Sequence, residues 1–292
     1  YSLVRSTPEA AQAHPTHYTL GVRLDVDGGG GSRWMHALSV GDRVGADAPK
    51  NDFPLKAGPA PVALIGGGIG ITPLVSMAAE LKAAQRPFRI AYAARARADL
   101  AFLPEIESLC EGQQTIQIDA ETGRFFDVEG LFRTLAPSTV VYMCGPKPML
   151  KSGMEALRAL GWPRDRLSFE LFYSAVAATA PLPPPPLVSP APIAAAPLST
   201  TTGGDGFEVV IKSSGARYRI PPNKSILAVL IEAGLDPMHD CQKGECGVCQ
   251  VNVLEGVPDH RDTVLSDGDR ASNKIMQICI SRSKSARLVL DL

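Results

Sequence analysis

No stretch of this 292-residue chain is apolar for long enough to cross a bilayer, and neither charge sign dominates: 29 Lys and Arg stand against 30 Asp and Glu. The first absence argues against a membrane protein. The second leaves no basic face for the phosphates of a nucleic acid. Cysteine is sparse, with six in the whole chain, too few for a disulfide framework at this length. Nothing at the start has the form of a signal peptide, so the chain reads as cytoplasmic and reduced. Internal repeats are lacking too. What is present is 45 % hydrophobic, the composition of an ordinary globular protein of two or three domains. The chain opens at Tyr1 rather than Met, in what reads as the middle of a strand, and is expected to be a fragment.

A composition shift divides it. From Tyr173 to Gly206 runs YSAVAATAPLPPPPLVSPAPIAAAPLSTTTGGDG, rich in Pro and Ala and free of charge until Asp205. The prolines recur too often for a helix, so this reads as a linker, part polyproline II and part flexible. Before it, PVALIGGGIGITPLVSMAAELKAAQ reads as a buried strand, a glycine turn and a helix. FRIAYAAR, TIQIDAE and TVVYMCGP are further strand-like runs, and KPMLKSGMEALRALG is an amphipathic helix ending at glycine. This alternation predicts a doubly wound parallel sheet with helices on both faces. Ahead of Pro61 the chain is β-rich, with HYTLGVRLDV as a strand, GGGGSRWMHAL as a turn into a short helix, and GDRVGADAPKNDF as a turn and strand. After the linker, GFEVVIKSSGARYRIPP reads as a hairpin and SILAVLIEAGL as a helix.

Two features carry chemistry. Cys241, Cys246 and Cys249 stand as C-x4-C-x2-C, with Cys279 thirty positions further on. That is the spacing by which plant-type ferredoxins hold a [2Fe–2S] cluster. Gly244 and Gly247 suit a tight loop whose N–H groups point inward at sulfide and thiolate charge. Structural zinc is the competing reading, but it usually takes two short ligand pairs, whereas here three ligands share one loop and the fourth is distant. Cys110 and Cys144 lie outside the pattern, and Cys110 reads as a buried filler.

The second feature is glycine. Gly66, Gly67, Gly68 and Gly70 follow a strand and open a helix, so backbone can approach a phosphate there. A second strand ends at Cys144, Gly145 and Pro146. The two strand ends are expected to converge on one crevice, with a nicotinamide beside Cys144; a plain core thiol is the alternative. Gly30, Gly31 and Ser32, entering a short helix, suit another phosphate, with Ser32 as N-cap and ligand, or else form a simple turn. Arg95 and Arg97 follow the strand FRIAYAA, where guanidinium groups could meet the 2′-phosphate of NADPH, although Asp99 weakens the field and a solvated pair reads equally well.

Taken in order, YSL, GGGGSRWMH, PKNDFPL, LIGGGIGITP, YMCGPKPM, SFELF and the terminal cysteine pattern closely resemble the phthalate dioxygenase reductase family, which includes vanillate demethylase reductases. The match covers nearly all of the chain except the linker. It implies the C-terminal part of an FMN-binding β-barrel over residues 1–60, an NAD(P)-binding domain over 61–172, the linker over 173–206, and a β-grasp [2Fe–2S] ferredoxin domain over 207–292. The implied reaction passes a hydride from NAD(P)H to FMN and then single electrons through the cluster to a terminal oxygenase, a Rieske dioxygenase or O-demethylase. Tyr1, Ser2 and Leu3 fall on the family's flavin-contacting R-x-Y-S-L motif, and Gly30, Gly31 and Ser32 on its flavin-phosphate loop. Gly68, Thr72 and Cys144 fall on its nicotinamide nucleotide site, and Phe172 where the family sets an aromatic against the flavin. Two departures stand out: the motif's arginine and the earlier barrel strands are absent, and Gly29 replaces the arginine of the family's G-R-G-G-S loop. The linker is longer than the family's, and the same module occurs fused behind cytochrome P450 in self-sufficient P450s.

The resemblance accounts for why these parts share one chain. A hydride carries two electrons and a [2Fe–2S] centre accepts one, so a flavin is needed between them. The rival from another class is a non-enzymatic iron–sulfur carrier or redox sensor that only binds nucleotide. The family favours NADH as the donor.

Overall fold

The computed structural model describes residues 1–6, 16–26, 30–172 and 206–292. The expected linker lies outside the described residues apart from Gly206. The chain divides into two compact units, one of Tyr1–Asp25 with Ser32–Tyr173 and the other of Val26–Gly31 with Ser174–Leu292. No helix among the described residues is long and apolar enough to cross a membrane.

The first unit begins with a two-residue pair, β1 (Leu3–Val4) antiparallel to β2 (Thr19–Leu20), and a short helix, α1 (Gly31–Ala37). A run of β3 (Val62–Gly67), α2 (Ile71–Ala83), β4 (Phe88–Ala94), α3 (Leu103–Cys110) and β5 (Thr115–Ile118) follows. After it come α4 (Asp119–Thr122), α5 (Val128–Thr134), β6 (Val140–Cys144), α6 (Lys147–Ala159) and β7 (Leu167–Glu170).

The five longer strands make an all-parallel sheet in the order β5-β4-β3-β6-β7. All six residues of β3 are buried, as a strand covered on both faces must be. Val62 and Leu64 share one core cluster with Ile71, Leu74, Val75 and Ala78 of α2. Opposite that face, α6 buries Leu150, Gly153, Met154 and Leu157, one stripe at helical spacing.

The sequence expects more strand ahead of Pro61 than the structure holds. HYTLGVRLDV pairs only at Thr19–Leu20, and GDRVGADAPKNDF forms a turn, with Asp42 N–H donating to Ser39, but no strand. The reason is a lack of neighbours. β1 and β2 pair with each other and with no other described strand, and Tyr18, Leu24, Val26 and Val44 stay exposed. The segment is held to the sheet instead. Ser76 Oγ donates to the Leu3 carbonyl at 2.9 Å and accepts from Arg5 N–H at 2.9 Å, while Val4 enters the core. Lys56 N–H donates to Tyr142 Oη at 2.6 Å, and Phe53 meets the Tyr142 ring edge-on at 5.5 Å.

The second unit is a mixed sheet crossed by a helix, the β-grasp arrangement expected. Its elements are β8 (Phe207–Ile211), β9 (Arg217–Ile220), α7 (Ile226–Glu232), β10 (Gln250–Glu255), β11 (Pro258–Asp259), α8 (Asp267–Ser272), β12 (Ile275–Gln277), β13 (Arg282–Ser283) and β14 (Arg287–Asp291). The main sheet runs β12-β10-β14-β8-β9, with β14 and β8 parallel and the other pairs antiparallel. Ser225 caps α7 by accepting from Ala228 N–H at 3.1 Å. Ile226, Leu227 and Leu230 of that helix join Val209, Ile211, Met276, Ile278 and Leu288 in one core.

In the first unit, a Cβ on Gly70 would stand 2.3 Å from the Cys144 carbonyl oxygen and 2.8 Å from Gly145 N, both backbone atoms that cannot swing away. Gly70→Ala is therefore expected to cost about 3 kcal/mol of stability. Gly68→Ala, with open space around it and φ at +54°, should cost only about 1 kcal/mol. Urea midpoints of the two variants, compared at equal slope, check the ranking.

Candidate functional sites

The strand order reverses between β3 and β6, and there the sheet opens. Chain connections after β3 lead outward through β4 to β5, whereas β6 returns to the other side of β3 and leads on to β7. Gly66 pairs with Cys144, so the two strands end side by side, as the sequence predicts. Gly66 and Gly67 are the last residues of β3 rather than part of the turn. Gly68–Gly70 form a single 3-10 turn, and Gly70 is the residue on which α2 begins. A Cβ on Gly67 would strike Pro146 at 2.7 Å and Met149 at 2.8 Å, so only bare backbone fits between the two strand ends. This groove, leading to a helix N-terminus, fits the phosphates of a dinucleotide.

The structure brings Cys144, Gly145, Pro146, Gly67, Gly68 and Gly70 together at this edge. Thr72 is fully buried, with Oγ1 donating to the Ile69 carbonyl at 3.0 Å; it shapes the turn from behind. Cys144 is also fully buried, and burial with the nearby Glu170 pushes its thiol well above the usual range. It is not an ionised nucleophile. Phe172 is partly buried against the same core.

Glu170 was not singled out in the sequence, although it sits inside the SFELF motif. It pairs across the sheet with Cys144 and accepts from Ser2 Oγ at 3.2 Å. Burial pushes its carboxyl above the usual range, offset in part by the Ser2 hydrogen bond. Ser2 thus reaches the crevice, whereas Tyr1 is largely exposed. Leu3 lies in β1.

The arginine pair expected at the end of β4 is split. Arg97 is held by both oxygens of Glu121, at 3.1 and 2.9 Å. Arg95 is exposed and forms no ion pair among the described residues. At the other glycine loop, Gly30 has φ +96° and Gly31 opens α1. Ser32 is therefore inside the helix and is not its N-cap, a correction to the sequence reading. Its hydroxyl accepts from Asp25 N–H at 3.0 Å and donates to the Asp25 carbonyl at 3.2 Å, because the chain folds back on the helix start.

In the second unit the four cysteines form a two-by-two set. Cys241 and Cys246 hydrogen-bond as one pair, Cys249 and Cys279 as another, and none is in a disulfide. Within each pair the thiol that donates is pushed up and the sulfur that accepts is pushed down, Cys241 to about 5. The Cys241 sulfur also faces the backbone N–H groups of Lys243, Glu245 and Cys246, and the Cys279 sulfur faces that of Gly244. No described group of three or more His, Cys, Asp or Glu side chains is placed to hold a single metal ion. Two pairs suit a cluster of two irons with inward N–H groups over its ligands, so the residues fit a [2Fe–2S] centre.

The loop rests on Asp262, which the sequence reading passed over. This buried carboxylate accepts from Val264 N–H at 3.2 Å, Leu265 N–H at 2.9 Å and Ser281 Oγ at 3.3 Å. Thr263 N–H donates to the Gly244 carbonyl at 3.0 Å, and a Cβ on Gly244 would lie 3.0 Å from Asp262 Cα. With φ at +76°, Gly244 is the one residue type that both turns here and lets the Asp262 backbone come so near.

Each of the two units matches a known domain family. Residues 64–154 match the model of an oxidoreductase NAD-binding domain, and residues 209–284 that of a 2Fe-2S iron-sulfur cluster binding domain. The chain is 35 % identical to a tetrachlorobenzoquinone reductase from Sphingobium chlorophenolicum, over 100 % of this chain and 83 % of that one. It is 34 % identical to a vanillate O-demethylase oxidoreductase from a Pseudomonas species, over 95 % and 81 %. Among solved structures, phthalate dioxygenase reductase superposes with a TM-score of 0.55 at 32 % identity, over 100 % of this chain and 83 % of that one. An intact type IV self-sufficient cytochrome P450 monooxygenase aligns with a TM-score of 0.50 at 33 % identity over 94 % of this chain, which spans only 33 % of that longer one.

Two outcomes follow from the geometry. Asp262→Ala strips partners from a buried amide, a half-buried amide and a buried hydroxyl, and should destabilise the second unit by about 3 kcal/mol, read as earlier thermal loss of the cluster's visible absorbance. Glu170→Gln tests the raised carboxyl. Below the unfolded carboxylate value of 4.5 both states are protonated and the substitution is silent. As pH rises through the higher folded value, the native protein carries the cost of a buried charge. The variant should therefore be more stable than the parent at pH 7 and equal to it near pH 3, by chemical denaturation at both.

Proposed function

The chain belongs to the phthalate dioxygenase reductase family, and from that membership we propose that it carries electrons from NADH through FMN and a [2Fe–2S] cluster to a terminal oxygenase of Rieske type. It is an NAD(P)H-dependent oxidoreductase, the reductase component of an oxygenase system. The observation that carries the proposal is the pairing, in one chain, of a glycine-lined crevice at a strand-order reversal with two facing pairs of thiols. A protein that only bound nucleotide would have no need of the second feature, and a simple ferredoxin no need of the first; an iron–sulfur carrier that binds nucleotide would have both, and is separated from the reductase by whether nucleotide reduces the cluster.

Bound together, the three cofactors supply the conversion of one two-electron hydride into two single electrons. The protein's own residues bind and orient. In this reading, Gly67, Gly68, Gly70 and Gly145 admit the dinucleotide phosphates to bare backbone, and Pro146 and Thr72 fix the turns around them. Cys144 offers a neutral, polarisable wall, and Glu170, hydrogen-bonded by Ser2, stands beside it. Tyr1, Ser2, Leu3 and the loop at Gly30, Gly31 and Ser32 are the proposed flavin contacts, within a flavin-binding part over residues 1–60. Phe172 covers the flavin face that the nicotinamide must reach. Cys241, Cys246, Cys249 and Cys279 hold the two irons.

NADH is the proposed donor because Arg97 is paired with Glu121, leaving Arg95 as the one of the two arginines with no ion pair among the described residues to meet a 2′-phosphate. Action in the cytoplasm belongs to the same proposal, since nicotinamide donors and reduced thiols share that compartment. The likeness to the self-sufficient P450 supports a second reading, with a haem oxygenase as acceptor.

An anaerobic titration of the FMN-loaded chain, followed in the visible, tests this. NADH should bleach both flavin and iron–sulfur bands at lower concentration than NADPH, and Phe172→Ala should change the rate of flavin reduction at saturating NADH. A cluster spectrum that neither nucleotide reduces would leave the carrier reading in its place.

A further inference from the structure

Gln277 is a fully buried amide beside a cluster ligand. Its Oε1 lies 3.4 Å from Cys249 Sγ, and its Nε2 lies 3.5 Å from Gln250 Oε1. Three features of the fold place it there. β12 and β10 pair with Gln277 directly opposite Gln250, so the two amides stand on one face of the sheet. Ile278 N–H donates to the Cys249 carbonyl, and Ser281 N–H to the Gln277 carbonyl, which fixes the turn carrying Cys279. Gln277 is the last residue of β12, and Cys279 lies in the turn that follows it directly.

The orientation of this amide follows from what faces it. A thiol has one S–H, for which the Cys279 sulfur and the amide oxygen facing Cys249 compete as acceptors. A cysteine bound to iron is a thiolate and presents only acceptor lone pairs, so an oxygen at 3.4 Å would set two negative atoms together in a buried site. Turning the amide about its last torsion puts Nε2 where Oε1 stands, and Gln250, itself an amide, can turn to donate in return.

We propose that Gln277 donates an N–H···S hydrogen bond to the Cys249 thiolate and thereby raises the reduction potential of the cluster. Reduction adds negative charge that is shared with the sulfurs, so a donor at a ligand sulfur stabilises the reduced state more than the oxidised one. The inference rests on the cluster reading of the four cysteines and assigns one chain-specific residue within it.

The test is the midpoint potential of the cluster in the full chain, by optical spectroelectrochemistry, for the parent and Gln277→Leu. The variant should shift the reduction equilibrium about tenfold toward the oxidised form, which is 59 mV downward for a one-electron couple. Equal potentials in two correctly assembled proteins would overturn the assignment. Should Gln277→Leu fail to assemble, the parent decides: after 15N labelling of glutamine side chains, pulsed EPR of the reduced cluster should detect a coupled amide nitrogen, and its absence overturns the assignment. A parent chain without iron–sulfur bands under any reconstitution would overturn the cluster reading itself, an outcome separable from the other two.

Discussion

Backbone N–H groups that must face negative charge without a side chain in the way are the constraint on which both units depend. A pyrophosphate and a thiolate-bound iron cluster are chemically unlike, yet each is best stabilised by several partial positive charges at close range that never leave. Amides meet this requirement only if nothing covers them. In the first unit that means glycine where β3 and β6 end, with Gly67 against Pro146 and Gly70 against the Cys144 carbonyl. In the second it means Gly244, turned to φ +76° and pressed on the Asp262 backbone, with the amides of the loop aimed at Cys241 and Cys279.

Polar groups buried behind these amides divide into two kinds. Asp262 and Thr72 spend their hydrogen-bonding capacity on backbone and hold loops in shape. Glu170 and Gln277 lie one step nearer the chemistry, and each faces a cysteine. Glu170 stands beside a neutral thiol in a site where burial favours the protonated carboxyl. Gln277 stands beside a cluster ligand where an amide can present either end.

Legibility in the sequence followed the range of the interactions. Strand β3, helix α2, strand β6, helix α6, the hairpin of β8 and β9, and helix α7 were readable because each is set by local periodicity and a glycine or serine boundary. The C-x4-C-x2-C pattern was readable because three of its four cysteines lie within nine positions. Ahead of Pro61 the reading overstated strand, since alternation there is real but pairing needs partners that β1 and β2 do not find among the described residues. Ser32 was misplaced as a cap because the helix begins one residue earlier, on Gly31. Arg95 and Arg97 were read either as phosphate contacts or as a solvated pair, and the partner that holds Arg97, Glu121, lies twenty-four positions away.

By itself the sequence determined the family, the C-x4-C-x2-C cysteine pattern and the glycine-bounded strand ends, because each is encoded in spacing along the chain. Only the tertiary structure decided which residues share a site. Cys144 meets Glu170 through strand pairing, Ser2 meets Glu170 across 168 positions, Gly244 meets Asp262 through backbone contact, and Gln277 meets Cys249 through the register of β10 and β12. Such pairs leave no periodic trace, since their separation in sequence is set by loop lengths and crossovers and their contact by the packing of a whole sheet.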